Sequence, residues 1–192
     1  MIISLIINLI DNSLKYGNKV EISLNKKNSS LFIIIDDDIF YPSTLLENLI
    51  VTHKQYPGAV CANRCARINS EKPYREWDNV KGPALAPCFD LLPTGCGGVL
   101  YPSGSLHADV LNESLFTKLC KDADDIWLSC AAYLNRTPTA YTGKNDYFLP
   151  VYSIGNVHLH TKNVGESNND QKIDLVKHYY LAAIKADVFN RG

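Results

Sequence analysis

The N-terminal part of the chain shows a helix pattern followed by two strand patterns. Apolar residues recur at helical spacing over residues 1–16, and Gly17 is typical of a helix C-terminal cap. Lys19–Leu24 and Leu31–Ile35 have the composition of strands, and the polar turn Asn25–Ser30 separates them. The pattern therefore predicts a helix followed by a β-hairpin, whose second, more apolar strand is buried.

Downstream of the hairpin, helix patterns alternate with strand patterns. Pro42 and Ser43 open a predicted helix over residues 43–55, which ends before Pro57. Residues 66–90 contain three prolines and several polar residues, which is typical of a long loop. The alternation predicts an α/β fold. The other predicted elements are strands at Ala59–Ala62, Asp90–Leu92 and Val99–Tyr101, a small-residue turn at 94–98, helices over 112–120 and 124–134, an irregular segment over 140–150 and an amphipathic helix over 170–187.

Composition and charge limit the possible functions. The chain has 192 residues, enough for one domain with a core, and its formal net charge is −1. It contains no basic run, so a general nucleic-acid surface is not expected. The first ten residues are apolar but lack a basic n-region and a cleavage site, and Asp11 and Asn12 close the run. Neither a signal peptide nor a membrane span is therefore expected.

The six cysteines are interpreted as buried free thiols. They are spread through apolar segments of a chain without an export signal, which favours a reducing compartment over disulfide formation. Cys61 and Cys65 have three residues between them, but no second pair completes a zinc site. The cysteines are Cys61, Cys65, Cys88, Cys96, Cys120 and Cys130.

Three consecutive carboxylates, Asp36, Asp37 and Asp38, follow directly after the second strand of the hairpin. Like charges in one place repel each other, and a divalent cation is the usual way to neutralise them. Asp36 and Asp38 are alternate residues, so in extended backbone their side chains point to the same side. Open α/β sheets bind ligands at the carboxyl ends of their strands, and oxygen ligands suit Mg²⁺ or Mn²⁺. A solvated acidic turn is the alternative interpretation.

Several segments resemble, in order and spacing, bacterial glycosyltransferases of the GT-A type, similar to those of family 2 in surface-polysaccharide pathways. The resemblance covers roughly residues 31–185. It implies an incomplete GT-A domain, in which a Rossmann-like mixed sheet is flanked by helices and preceded by the N-terminal helix and hairpin. The segments that carry it are IIIDDDIFYPSTLLENLI, YPGAVCANR, YREW (74–77), LLPTGCGGVLYPSGSL (91–106), LCKDADDIWLSCAAYLN (119–135) and HLHTKNVGESNND (158–170).

The resemblance implies metal-dependent transfer of a sugar from a nucleotide-diphosphate donor to a hydroxyl acceptor. Asp36 and Asp38 fall on the family's Asp-x-Asp motif, which holds Mn²⁺ or Mg²⁺ and, through it, the donor's diphosphate. Asp37 is placed among the substrate-binding residues. His160 is a candidate third metal ligand, although the alternation of His158 and His160 also fits exposed or hydrogen-bonded histidines.

The resemblance also implies a catalytic base. Asp124 and Asp125 match an acidic pair at the start of a helix, where one carboxylate deprotonates the acceptor hydroxyl. Asp125 is favoured because Asp125–Leu128 matches the usual Asp-x-x-Leu pattern. The alternative for both residues is that they are first-turn carboxylates favoured by the helix dipole.

Six further residues are candidates for substrate binding. The glycines of the small-residue turn let backbone approach the donor or acceptor closely. The aromatic candidates have structural alternatives: a core position for Trp127, and the fixing of a loop for Tyr74 and Trp77. The six are Gly95, Gly97, Gly98, Trp127, Tyr74 and Trp77.

Residues 8–17, NLIDNSLKYG, resemble a different family, the N-box of sensor histidine kinases and related ATPases. In that family the residue at Asn12 binds Mg²⁺, Lys15 lies near phosphate and Tyr16 lies near adenine, while Asn8 shares a helix face with Asn12. The kinase pattern stops after the aspartates, because no Asp-x-Gly-x-Gly loop follows.

Both families have an apolar strand that ends in aspartates, and we interpret the chain as a chimera joined there. The parts are a kinase-like fragment, residues 1–35, and a glycosyltransferase portion, residues 36–192. Sequencing genomic DNA across this junction tests the interpretation.

Three functions follow from these patterns. The first is a glycosyltransferase, in which the missing nucleotide-binding half, of roughly a hundred residues, weakens donor binding. The second is an inactive fragment, and the third is an ATP-binding module of the histidine-kinase type. The expected partners are a nucleotide-sugar donor and a glycan or other hydroxyl acceptor, without nucleic acid or a transmembrane segment. The expected location is the cytoplasm; the inner membrane face, peripheral association and oligomerisation stay open.

Overall fold

The computed structural model describes residues 24–26, 29–36, 39–144, 149–150, 168–186 and 188–189. It confirms a mixed α/β fold in which a mixed sheet is flanked by helices. The strands are β1 (Leu24–Lys26), β2 (Ser29–Ile34), β3 (Ile39–Phe40), β4 (Val60–Ala62), β5 (Cys65–Arg67), β6 (Leu85–Cys88), β7 (Leu91–Pro93), β8 (Val99–Pro102), β9 (Thr139–Tyr141) and β10 (Leu149–Pro150). The helices are α1 (Leu45–Gln55), α2 (Glu113–Leu119), α3 (Asp124–Leu134) and α4 (Asn168–Ile184).

Six strands form the main sheet, in the order β1-β2-β8-β4-β9-β6. The antiparallel pairing of β1 with β2, with Lys26 opposite Ser29, confirms the predicted hairpin. Strand β8 is antiparallel to both β2 and β4, whereas β4 and β9 are parallel. Strands β2, β4 and β9 therefore end at one edge of the sheet, and β8 begins there.

Alternating side chains of the sheet pack against different helices. Ile33, Cys61 and Leu100 face one side and form a cluster with Leu45 and Leu49 of α1. The intervening residues face the other side, where α3 covers them; they are Val60, Ala62, Val99 and Tyr101. This period of two is the expected signature of a strand buried on both faces.

The four helices lie close to their predicted positions. Pro42 precedes α1, and its carbonyl accepts a hydrogen bond from the Leu45 N–H (3.0 Å). The side chain of Asn112 caps α2 by accepting a hydrogen bond from the Leu115 N–H (3.1 Å). Helix α3 is buried over most of its circumference because it lies between the sheet and a second cluster with α2 and α4. Among the described residues, no helix combines the length and apolarity needed to cross a membrane.

Three predictions about connecting segments were wrong. The predicted loop 66–90 contains most of β5, a single turn of 3₁₀ helix at Tyr74–Glu76 and the strand β6. The predicted irregular segment 140–150 contains most of β9 and all of β10. Strand β6 lies at one end of the main sheet, beside β9. Its Pro87 has no backbone N–H to donate and is tolerated because an edge strand does not need every N–H for pairing. The polar turn of the hairpin is also shorter than predicted, since Asn25, Lys26, Ser29 and Ser30 are paired strand residues.

The cysteines are free thiols, as predicted. Cys61, Cys65, Cys120 and Cys130 are buried, whereas Cys88 and Cys96 are only half-buried, so the expectation of burial was wrong for these two. The predicted helix over 1–16 and the N-box residues Asn8, Asn12, Lys15 and Tyr16 lie outside the described residues.

Candidate active site

Five segments that are distant in sequence meet at the edge where β2, β4 and β9 end. Ile34 pairs with Val99, and Ala62 pairs with both Val99 and Tyr141, so these residues lie in one row across the sheet. The residues just beyond that row are Asp36 after β2, Asn63 and Arg64 after β4, Thr142 after β9 and the turn Gly95–Gly98 before β8. Helix α3 adds the fifth segment, because its first turn reaches the same turn of glycines.

Asp125 and Asp36 approach each other across Gly95. The Gly95 N–H donates a 2.8 Å hydrogen bond to Oδ1 of Asp125. A Cβ atom built on Gly95 would lie 3.0 Å from Oδ1 of Asp36 and 3.3 Å from Oδ1 of Asp125. Both carboxylates therefore face the small volume that a side chain at position 95 would fill.

The pKa of Asp125 is raised well above its ordinary value. The largest cause is burial of the carboxyl group, although part of the residue's surface stays accessible, and the negative charges of Asp124 and Asp36 add to it. The Gly95 hydrogen bond and the positive charge of Arg64 act in the opposite direction but do not cancel the rise. A carboxyl in this setting binds a proton more tightly than a solvated aspartate, which is typical of a general base or acid.

Arg64 follows β4 and is held against the glycine turn. Its Nη1 donates hydrogen bonds to Oγ1 of Thr94 (2.8 Å) and to Sγ of Cys96 (3.3 Å). A Cβ atom on Gly97 would lie 2.3 Å from the Cβ of Arg64 and 2.9 Å from its backbone nitrogen. Only glycine at position 97 allows this approach of the two chain segments.

The other two glycines of the turn have separate reasons to be glycine. Gly98 has a φ of 80°, in the left-handed region that L side chains rarely adopt. Gly95 leaves open the space between Asp36 and Asp125. Gly97 packs closely against Arg64, while the approach of the turn to the donor or acceptor, which the resemblance implies, stays a prediction.

The strand ends beside these residues are tied together by hydrogen bonds. The Asp36 N–H donates to the hydroxyl of Tyr41 (2.8 Å). The Thr142 hydroxyl donates to Oδ1 of Asn63 (2.7 Å), and both side chains are buried. These bonds link β2 to the segment after it and β4 to β9, so the edge of the sheet is held in one arrangement.

The three aromatic candidates lie in different surroundings. Tyr74 is half-buried, and burial together with the charge of Asp125 raises the pKa of its hydroxyl, so it lies on the side of the acidic pair. Trp77 is buried against the ring of Tyr74, at a centroid distance of 5.2 Å, and its Nε1 donates to the Lys72 carbonyl. Trp127 is 1% exposed and packs on Phe116 in the core. The packing of Trp77 fits the structural alternative stated above, in which it fixes a loop. The packing of Trp127 fits a core position.

The donor set at this edge suits a hard divalent cation. Asp36 and Asp125 bring oxygen ligands together, and their mutual repulsion contributes to the raised pKa that a cation would lower. In the part of the chain that the structure describes, no three His, Cys, Asp or Glu side chains are close enough to hold a metal. The other predicted ligands Asp38 and His160, and also Asp37 and His158, lie outside that part.

Sequence reasoning missed Arg64, Tyr41, Asn63 and Thr142. Arg64 and Asn63 are visible in the segment YPGAVCANR, directly after a predicted strand. The rule that ligands bind at the carboxyl ends of strands would have singled them out, as it did the aspartates. Thr142 could not be found in this way because β9 was predicted to be irregular.

A comparison with models of known protein families finds no match for this chain, and neither does a comparison with curated proteins.

Proposed function

We propose that this chain carries the metal- and acceptor-binding part of a GT-A type glycosyltransferase, with Asp125 as the general base. The observation that supports it is the meeting of Asp36 and Asp125 across Gly95, at the edge where three strands end. A structural first-turn aspartate would lie in solvent at the helix N-terminus. Asp125 instead is half-buried beside a second carboxylate and is oriented by a backbone N–H.

The chemistry assigned to Asp125 is proton removal from the acceptor hydroxyl. Oδ1 is held by the Gly95 N–H, which leaves Oδ2 to accept the hydroxyl proton as the acceptor oxygen bonds to the anomeric carbon of the donor sugar. The bond between that carbon and the nucleoside diphosphate breaks in the same step.

Asp36 has a different role in this proposal. Together with the sequence-predicted ligands Asp38 and His160, it would hold Mn²⁺ or Mg²⁺, which stabilises the charge that develops on the departing diphosphate. Asp36 also raises the pKa of Asp125.

Transfer assays with matched variants test the proposal. The wild type, Asp125→Asn and the control Asp174→Asn, an exposed aspartate on α4, are incubated with Mn²⁺, a panel of nucleotide-diphosphate sugars and a glycan mixture. We expect release of nucleoside diphosphate by the wild type and the control, and a loss of at least about a hundredfold in Asp125→Asn, since general bases contribute roughly that much. Equal rates in all three would exclude Asp125 as the base.

A thermal-shift series separates the alternatives. Stabilisation by Mn²⁺ with uridine diphosphate supports a donor site, and a ligand at about a hundred times its dissociation constant adds roughly 2.7 kcal/mol. Stabilisation by Mg²⁺ with ATP, but not by Mn²⁺ with uridine diphosphate, would support the ATP-binding alternative. A response to neither nucleotide would support the inactive fragment.

A further inference from the structure

Arg64 lies beside the acidic pair without an ion pair of its own. Among the described residues it has no carboxylate oxygen within 4.0 Å, whereas Arg67 pairs with Asp90 and Arg75 pairs with Glu76. Arg64 is also half-buried. Charges that lose part of their hydration are normally paired, and the described residues place no carboxylate oxygen within ion-pair distance of this arginine.

The guanidinium group is nevertheless fixed in position. Nη1 donates to both Thr94 and Cys96, and the backbone of Arg64 packs directly against Gly97. A guanidinium carries five N–H donors in a rigid plane, and the two bonds use the Nη1 side of that plane. No hydrogen bond to a described residue uses Nε or Nη2, and the two parallel N–H groups on that edge match the two oxygens of a phosphate or carboxylate.

The charge of Arg64 acts on the same volume that the carboxylates face. It lowers the pKa of Asp125, Tyr74 and Cys96, each against the stronger effect of burial. Arg64 is therefore close enough to influence the proposed base, although it forms no direct ion pair with it in the described part of the chain.

We propose that Arg64 binds the diphosphate group of the donor through its Nε and Nη2 edge. This inference rests on the proposed function and names the part of the substrate that this side of the site recognises. A diphosphate with its divalent cation brings oxygen acceptors to an edge of the sheet that is otherwise acidic, and the arginine fork fits phosphate oxygens. As the bond to the sugar breaks, the extra negative charge on the diphosphate strengthens the same contact.

Binding of pyrophosphate with Mg²⁺ is the direct test, because this probe needs neither a base pocket nor catalysis. Isothermal titration calorimetry compares the wild type with Arg64→Gln, Arg64→Lys and the control Arg75→Gln, whose arginine is exposed and pairs with Glu76 at 4.0 Å. A thermal melt of each variant checks that it is folded.

We expect wild type and Arg75→Gln to bind pyrophosphate equally, and Arg64→Gln to bind on the order of ten- to a hundredfold more weakly, as for the loss of charge-assisted hydrogen bonds. Arg64→Lys, which keeps the charge without the fork, is expected to lie between them. Unchanged affinity in Arg64→Gln, or no binding by the wild type, would overturn the inference. If Arg64→Gln does not fold, wild-type affinity in Arg64→Lys overturns it.

The binding experiment and the transfer assay together separate failure of this inference from failure of the proposed function. Arg64-dependent binding of pyrophosphate without any sugar transfer would mean that the anion site exists and the transferase proposal fails. Sugar transfer with pyrophosphate binding that does not depend on Arg64 would leave the transferase proposal standing and remove this inference.

Discussion

The backbone N–H of Gly95 donates a 2.8 Å hydrogen bond to Oδ1 of Asp125. This single contact joins the turn before β8 to the first turn of α3. It fixes the orientation of the carboxyl group, whose Oδ1 lies 3.3 Å from the position of a Cβ built on Gly95, in the volume that Asp36 also faces. Since a side chain at position 95 would fill that volume, the glycine both orients the Asp125 carboxyl group and keeps its surroundings open.

Replacing Asp125 with Asn is expected to stabilise the protein while stopping transfer. Because the pKa of Asp125 is raised in the folded state, the protonated form of Asp125 favours folding. This contribution to the free energy of unfolding is complete below the unfolded pKa of about 4 and is lost as pH rises through the folded pKa. At pH 8 the variant should therefore have a higher free energy of unfolding than the wild type, and the difference should be larger than at pH 4. Urea unfolding of both proteins between pH 4 and pH 8 measures this difference, with Asp174→Asn as the control. A difference in the free energy of unfolding that narrows with rising pH would contradict the prediction.

Removing the charge of Asp36 is expected to weaken the response to metal. Asp36→Asn keeps the size of the side chain but removes a charged oxygen ligand from the site. The melting temperature of the wild type should rise with Mn²⁺, and that of the variant should rise much less. Differential scanning fluorimetry across a Mn²⁺ titration gives the comparison. An equal rise in Asp36→Asn would mean that the cation binds elsewhere.

A methyl group at position 97 is expected to destabilise the fold. The added Cβ would lie 2.3 Å from the Cβ of Arg64 and 2.9 Å from its backbone nitrogen, so two chain segments must move apart. We expect Gly97→Ala to lower the free energy of unfolding by roughly 1–3 kcal/mol, as for overpacked interiors. Gly58→Ala is the matched control, because nothing lies within 4 Å of its built Cβ. Equal stability of the two variants in urea unfolding would show that the turn and Arg64 are less tightly packed than described.

Only two thiols of the native protein are expected to react with iodoacetamide at pH 8. Cys88 and Cys96 are half-buried, while the other four cysteines are buried. Burial raises the pKa of Cys61 to about 12 and that of Cys88 to about 11, so even the accessible Cys88 is about one-thousandth thiolate at pH 8 and reacts slowly. Mass spectrometry of peptides from native and urea-unfolded protein checks this. Early labelling of Cys61 or Cys130 in the native protein would contradict the burial.

The elements that the sequence predicted correctly are those with a strong local pattern. Helices α1 to α4 have helical spacing over at least seven residues, and β2 is an apolar run that ends in aspartates. Strands β5 and β9 have three residues each, too few for a period of two to be visible. They exist because β7 and β4 supply backbone partners, which is tertiary information.

The residues of the candidate site also divide into those that have a local sequence signature and those that have none. Asp36 and Asp125 could be singled out because each has a local signature, an acidic strand end and an acidic first turn. Their meeting across Gly95 depends on the antiparallel placement of β8 between β2 and β4, which no local pattern encodes. Arg64 carries no signature other than its place after a strand, so its role emerges only when Thr94, Cys96 and Gly97 are seen around it.

The proposed base is carried by the helix that also forms the centre of the core. Two residues after Asp125, Trp127 is packed on Phe116 and donates from Nε1 to the Val110 carbonyl (3.2 Å). Asp125 therefore has no hinge of its own, and the position of its carboxylate depends on the integrity of the whole interior. On heating, catalysis and the folded state should disappear together in a single cooperative transition, without an earlier phase of inactivation in which the site loosens while the core persists.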